Sequence, residues 1–127
     1  MKTSLLKLLA FLILLFSVTL QAQQTIEYDD GAKYVGKLKE GSFHGKGVYT
    51  FANGNEYRGK FKNNDFNGKG TLTYSNGTSI IGKFKDGFLT GKGVANYANG
   101  DVCIGQFEYN SPKGDVVIKY SNGVTYS

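Results

Sequence analysis

Three glycine columns, each recurring every 23 residues, constrain this chain more than any other feature. Gly36, Gly59, Gly82 and Gly105 form the first, Gly45, Gly68, Gly91 and Gly114 the second, and Gly54, Gly77, Gly100 and Gly123 the third, with no insertion breaking the register. A fixed period of this length marks a repeat architecture, in which each unit is one supersecondary element that buries its apolar face only against its neighbours. The units run over residues 34–56, 57–79, 80–102 and 103–125. A half repeat, 25–33, precedes them, with Tyr28 aligned to Phe51 and Gly31 to Gly54, and Tyr126 opens a fifth unit.

Within a unit the residue types alternate with period two, as in a strand with one buried face. Tyr34, Gly36 and Leu38 point one way, and Val35, Lys37 and Lys39 the other. The column of Leu38 continues as Phe61, Phe84 and Phe107, so one apolar side chain per unit stacks on the next. After the second glycine column, Gly47, Tyr49 and Phe51 face the core while Val48 and Thr50 face out. The spacing predicts a loop of six to seven residues from Glu40 to Lys46. Its column Gly41, Asn64, Gly87 and Asn110 is expected to be left-handed, because glycine and asparagine tolerate positive φ. Asn53-Gly54, Asn76-Gly77, Asn99-Gly100 and Asn122-Gly123 join successive units. Asn-Gly between alternating runs predicts a hairpin turn with both central residues at positive φ. Nothing after residue 22 is apolar at three- and four-residue spacing, so no helix is expected there. The fold class is all-β: tandem 23-residue β-hairpins stacked into one elongated, twisted antiparallel sheet.

Residues 1–22 stand apart from the repeats. Lys2 and Lys7, the apolar run Leu8 to Leu20, and the end Gln21-Ala22 read as a secretory signal peptide cleaved after Ala22. The apolar run is shorter than the roughly 20 residues that span a bilayer. The expected location is across the inner membrane, periplasmic or extracellular. Without Lys2 and Lys7 the 15 basic residues become 13 against 10 acidic ones, a net charge of +3 rather than +5. All 18 glycines lie in residues 23–127, but not at every third position, which excludes collagen. The single cysteine, Cys103, leaves no intramolecular disulfide, so packing and hydrogen bonds must hold the array. Cys103 shares a column with Tyr34, Tyr57, Ile80 and Tyr126, which reads as a small buried apolar position.

Tyr57-Arg58-Gly59-Lys60-Phe61 followed by Phe66-Asn67-Gly68-Lys69-Gly70, and then Asn-Gly, resembles the MORN repeat, the membrane occupation and recognition nexus motif. About four units and a half carry the pattern over residues 25–127. The resemblance implies a row of antiparallel hairpins and a role in binding or scaffolding, with phospholipid or protein partners proposed for various members. Ile80 and Cys103 depart from the leading tyrosine, and Val116 replaces the second glycine of Gly-Lys-Gly in the last unit. That unit also carries Pro112, which withholds a backbone donor and discourages further pairing.

No catalytic set emerges. His44 is the only histidine and lies in a variable column with Asn67, Thr90 and Lys113, and one histidine with one cysteine makes no zinc site. Gly45-Lys46-Gly47 lacks the following helix that a phosphate-cradling loop uses. The chain is therefore read as a non-enzyme without metal, cofactor or small-molecule substrate. Charge is the leading candidate. Lys37, Lys60 and Lys83, then Lys39, Lys62 and Lys85, then Lys46, Lys69 and Lys92 form three rows that end together at Gln106, Glu108 and Asp115. They are candidate anion-binding residues, although outward lysines also serve solubility and edge protection. Nucleic acid fits poorly with the modest net charge and the leader. The second candidate is an aromatic face of Tyr34, Phe51, Tyr57, Phe61, Tyr74, Phe84, Tyr97, Phe107 and Tyr120, exposed for binding or self-contact if nothing covers it. The expected function is protein binding or scaffolding in the cell envelope, by an envelope protein or self-association, with anionic phospholipid headgroups on the lysine rows as the alternative.

Overall fold

The computed structural model describes residues 22–127, so the predicted leader up to Gln21 lies outside the described residues. The rest is ten strands and, among the described residues, no helix. They are β1 (Gln24–Glu27), β2 (Lys33–Lys39), β3 (Ser42–Thr50), β4 (Glu56–Lys62), β5 (Asp65–Thr73), β6 (Ser79–Lys85), β7 (Phe88–Asn96), β8 (Val102–Glu108), β9 (Ser111–Lys119) and β10 (Thr125–Tyr126). All belong to one open antiparallel sheet in chain order, each strand hydrogen-bonded to its sequence neighbours.

The loop expected from Glu40 to Lys46 is instead a two-residue turn, because β3 already begins at Ser42. Both turn residues have positive φ: Glu40 and Gly41 (50° and 81°), Asn63 and Asn64 (50° and 70°), Asp86 and Gly87 (51° and 90°), Tyr109 and Asn110 (50° and 66°). This is the mirror-image turn whose twist suits a two-residue hairpin. The left-handed column is as expected, and its predecessor joins it.

The Asn-Gly junctions are a different turn from the one their sequence suggests. Among Asn53-Gly54 and its counterparts only the glycine has positive φ, 92° at Gly54. The Gly54 N–H donates to the Phe51 carbonyl at 3.0 Å and the Phe51 N–H to the Asn55 carbonyl at 2.8 Å. Asn53 acts through its side chain, whose Oδ1 accepts the Asn55 N–H at 3.0 Å. A single left-handed glycine after an ordinary turn already restores strand twist, so asparagine is left free to serve as an acceptor.

Each unit also carries a bulge. Gly36 pairs with Gly47 but Lys37 with His44, so Gly45 and Lys46 have no partners on β2. The later hairpins shift at the same place. Bulges bend a strand pair, and here the bend closes over the core. Tyr34 and Phe43 show it: their backbones lie four strand positions apart, about 13 Å in a flat pair, yet their rings stack with centroids 3.8 Å apart. Tyr57 and Phe66 repeat the contact at 3.8 Å. Each tyrosine leans along its strand over the paired glycines and donates from its hydroxyl to the backbone, Tyr34 to Lys37 O at 2.7 Å and Tyr57 to Lys60 O at 2.8 Å. A β-carbon at Gly70 would stand 2.6 Å from the Tyr57 ring, and one at Gly47 2.9 Å from that of Tyr34. Gly36 and Gly47, and likewise Gly59 and Gly70, are thus the floor on which a ring lies.

Phe61 stands edge-on between Tyr34 and Tyr57, at 5.2 and 5.0 Å, and Phe84 edge-on to Tyr57 at 5.0 Å. Leu72, Ile80, Leu89, Ala95, Cys103 and Phe107 complete the buried line along this inner face. Neighbouring units are tied at both rims. At the bulge-side turns the Phe43 N–H donates to Asn64 Oδ1 at 2.8 Å and the Leu89 N–H to Asn110 Oδ1 at 2.7 Å. At the junction turns Asn55, Thr78 and Asp101 accept from the N–H of Ser75, Ala98 and Ser121 in the next unit.

Candidate functional site

Residues directly opposite one another in an antiparallel pair project to the same face. On the outer face, away from the rings, Lys46 stands opposite Lys60 and Lys69 opposite Lys83, while Lys92 meets Gln106. Two of the lysine rows read from the sequence therefore merge into one ladder, except for Lys37, which stands opposite His44 on β3. Lys46, Lys60, Lys69, Lys83 and Lys92 occupy five successive strands, β3 to β7, one per strand. The third row, Lys39, Lys62 and Lys85, sits apart at the ends of β2, β4 and β6, beside the two-residue turns. All nine lysines are exposed.

The ladder runs along a groove. One hollow of about 880 Å³ is lined by Lys33, Lys46, Arg58, Lys60 and Lys69. A second, of about 700 Å³, takes Lys69, Lys83 and Lys92 with the hydroxyls of Thr71 and Thr90. Lys69 lines both, so the two are adjacent. A third, of about 940 Å³, shares Lys92, Ile81 and Gly82 with the second and runs over Val94, Ile104 and Val117 to Asp115 and Tyr126. The groove thus has a basic stretch and an aliphatic one. Carboxylates do little to neutralise the first: among the described residues the ion pairs are Arg58 with Glu56 at 3.4 Å and Lys113 with Glu108, neither involving the nine lysines. Like charges directly opposite on a sheet are destabilising, so the ladder holds an uncompensated positive potential.

The aromatic face does not survive as an exposed surface. Tyr34, Tyr57, Phe61, Phe84 and Phe107 are buried, because the hairpin bend and the ring stacking cover them. Burial raises the Tyr34 phenol and pushes that of Tyr57 up to about 12. Phe51 and Tyr74 are half-buried on the junction rim, and only Tyr97 and Tyr120 remain exposed. Cys103 is buried and its thiol raised by that burial. Sequence reasoning missed Phe43 and Phe66, assigned to a loop although their column reads Phe, Phe, Leu, Pro. It also missed the outer row Ile81, Val94, Ile104 and Val117, whose members pair in sequence across β6 to β9. The available signal was that these columns are aliphatic in every unit but the second, which has Arg58 and Thr71. Among the described residues no three His, Cys, Asp or Glu side chains gather as a metal site needs.

The MORN repeat family matches residues 34–56, 57–79 and 81–102, more than half of the chain. The chain belongs to the MORN repeat family. MORN repeats are non-catalytic repeat modules that bind proteins or membranes. No curated protein matches this chain. The family match leaves out the last hairpin, β8–β9, which carries Cys103, Pro112 and Val116, yet that hairpin pairs with the same register and the same bulge as the others. Its departures compensate one another. With cysteine in place of the tyrosine no ring covers Gly105, and Val116 Cγ1 takes that space, 2.9 Å from where a β-carbon of Gly105 would be.

Proposed function

We propose that this chain is a non-catalytic scaffold of the cell envelope whose MORN array binds another envelope protein or a second copy of itself. The observation that supports this reading is the aliphatic stretch of the outer groove. Ile81 and Ile104 are 42% and 38% exposed and stand in an unbroken cross-strand line with Val94 and Val117. Solvent-facing strand positions are ordinarily polar, and a contiguous apolar strip in a groove suits a protein contact. Capture from the native envelope fraction tests it, with wild type and an Ile81→Asp/Ile104→Asp variant side by side. The expected result is a partner, or a larger assembly in size-exclusion chromatography, that is lost with the variant. Equal capture by both proteins would sink the assignment of this surface.

A second reading, peripheral attachment to anionic phospholipid headgroups, draws on the unpaired lysines. Each lysine near such a surface contributes about 1 kcal/mol, and screening limits its reach to about 8 Å at physiological salt. Reversing Lys60, Lys62 and Lys69 should abolish flotation with anionic vesicles at low salt. Wild-type protein that stays free of such vesicles ends this reading.

A further inference from the structure

The shape of the basic stretch narrows the ligand further than its charge does. Five lysines on five successive strands form a single file, Lys46, Lys60, Lys69, Lys83 and Lys92. With strands about 4.8 Å apart, the file extends about 19 Å across the sheet. It lines two adjacent hollows that share Lys69, rather than a projecting surface. The row beside it, Val48, Arg58, Thr71, Ile81 and Val94, adds the Thr71 hydroxyl and Arg58, whose charge is paired with Glu56 in the same hollow. None of the residues lining the two basic hollows is aromatic. Beyond Lys92 the file gives way to Gln106 and Asp115, which ends the positive run on one side.

We propose that this groove binds a linear polyanion laid across strands β3 to β7: a polyphosphate or an acidic polysaccharide, with a phosphate, sulfate or carboxylate on each monomer. A file of like charges is costly while empty and is relieved along its whole length by one flexible chain carrying opposite charges. A bilayer surface would engage a groove floor poorly. A nucleic acid would gain nothing from its bases, since single-strand binding draws much of its energy from stacking on aromatic side chains. The inference is independent of the aliphatic stretch and differs from both readings above, because its ligand is neither a protein nor a membrane.

The test is titration of the purified protein at low salt with inorganic phosphate, polyphosphates of graded length, polygalacturonate, single-stranded DNA, and vesicles of phosphatidylglycerol and phosphatidylcholine. Affinity for polyphosphate should rise with length until the chain covers five rungs and then level off, with no measurable binding of inorganic phosphate. Lys60→Gln/Lys69→Gln/Lys83→Gln should weaken polymer binding roughly tenfold to a hundredfold. Lys39→Gln/Lys62→Gln/Lys85→Gln removes the same charge at the turns and should cost less than about threefold, as scattered surface charges do. Thermal melts report whether both variants fold; should the ladder triple variant not fold, Lys69→Gln alone must still weaken the polymer several-fold. Equal losses in the two triple variants would reduce the effect to net charge and overturn the proposal. So would vesicle binding without polymer binding, DNA binding tighter than that of the other polymers at equal charge, or no binding at all.

Discussion

The first two units and the last two solve one packing problem with different residues. In units one and two a tyrosine lies flat on two glycines and stacks on a phenylalanine from the second strand of the hairpin. In unit three Ile80 leaves that floor and Leu89 lies over Gly82 and Gly93 instead. In unit four Cys103 leaves it altogether and Val116 fills in from the glycine column. What must be preserved is the volume over the floor, and the column that supplies it can change. On the outer face unit two alone carries polar residues in these columns, Arg58 and Thr71, between Val35 and Val48 of unit one and the longer aliphatic run Ile81, Val94, Ile104 and Val117. The array therefore presents two chemistries along one sheet while keeping one backbone.

The comparison breaks most readily at the rings. Phe61→Ala should cost about 3–5 kcal/mol, since a buried phenylalanine is lost together with four edge-to-face contacts. Phe84→Ala should follow closely, and Phe107→Ala, which has no ring partner, should cost least; urea melts that give equal losses would argue against units of unequal cohesion.

Alkaline pH tests the same point without truncating a ring. Tyr57 has its phenol raised from 10.0 to about 12 by burial. Its neutral form is favoured by folding, so this stabilisation is complete below pH 10 and lost as pH rises through 12, about 3 kcal/mol in all. Urea midpoints should fall over that window, and Tyr57→Phe should flatten the profile.

Converting unit two towards unit four sharpens the contrast. Gly70→Val drives a side chain into the Tyr57 ring and should cost about 1–3 kcal/mol by overpacking. In the Tyr57→Cys background the same valine should cost less, because the space is vacant as it is beside Cys103. A double-mutant cycle with no coupling would refute the compensation.

The smallest expected effect is at Tyr109, which holds φ at 50° in a mirror-image turn where the first unit has Glu40 and the second Asn63. Tyr109→Asn should stabilise the last hairpin by roughly 0.5–1 kcal/mol, since asparagine tolerates that region better. A lower melting temperature would contradict this.

The period, the strand alternation and the absence of apolar helical spacing made the sheet legible in the sequence, because each is a property of single strands or of the repeat itself. Register between strands is not. Whether the rows of Lys37 and Lys46 stay separate or interleave depends on the register across the junction turns, which sets Lys46 opposite Lys60, and no single strand reveals its partner's register. The bulge at Gly45 likewise drew Phe43 out of its expected loop and over Tyr34. Asn53 misled for a related reason: Asn-Gly is compatible with two turns, and the acceptor role of the asparagine becomes visible only once the Asn55 N–H is seen to need one.

The hydrogen bonds between junction turns have a further consequence. Asn55, Thr78 and Asp101 each hold the backbone of the following turn, so each of these turns fixes the position of the next and of no other. Losing or gaining one residue inside a unit would break the bond between the two turns that flank it, whereas duplicating a whole unit would leave each bond intact. Such a chain can change length only in whole steps, and each step adds two strands, about 9.6 Å, to the sheet. Gene duplication acting on this array would work as on a ruler, setting the length of the outer groove one unit at a time.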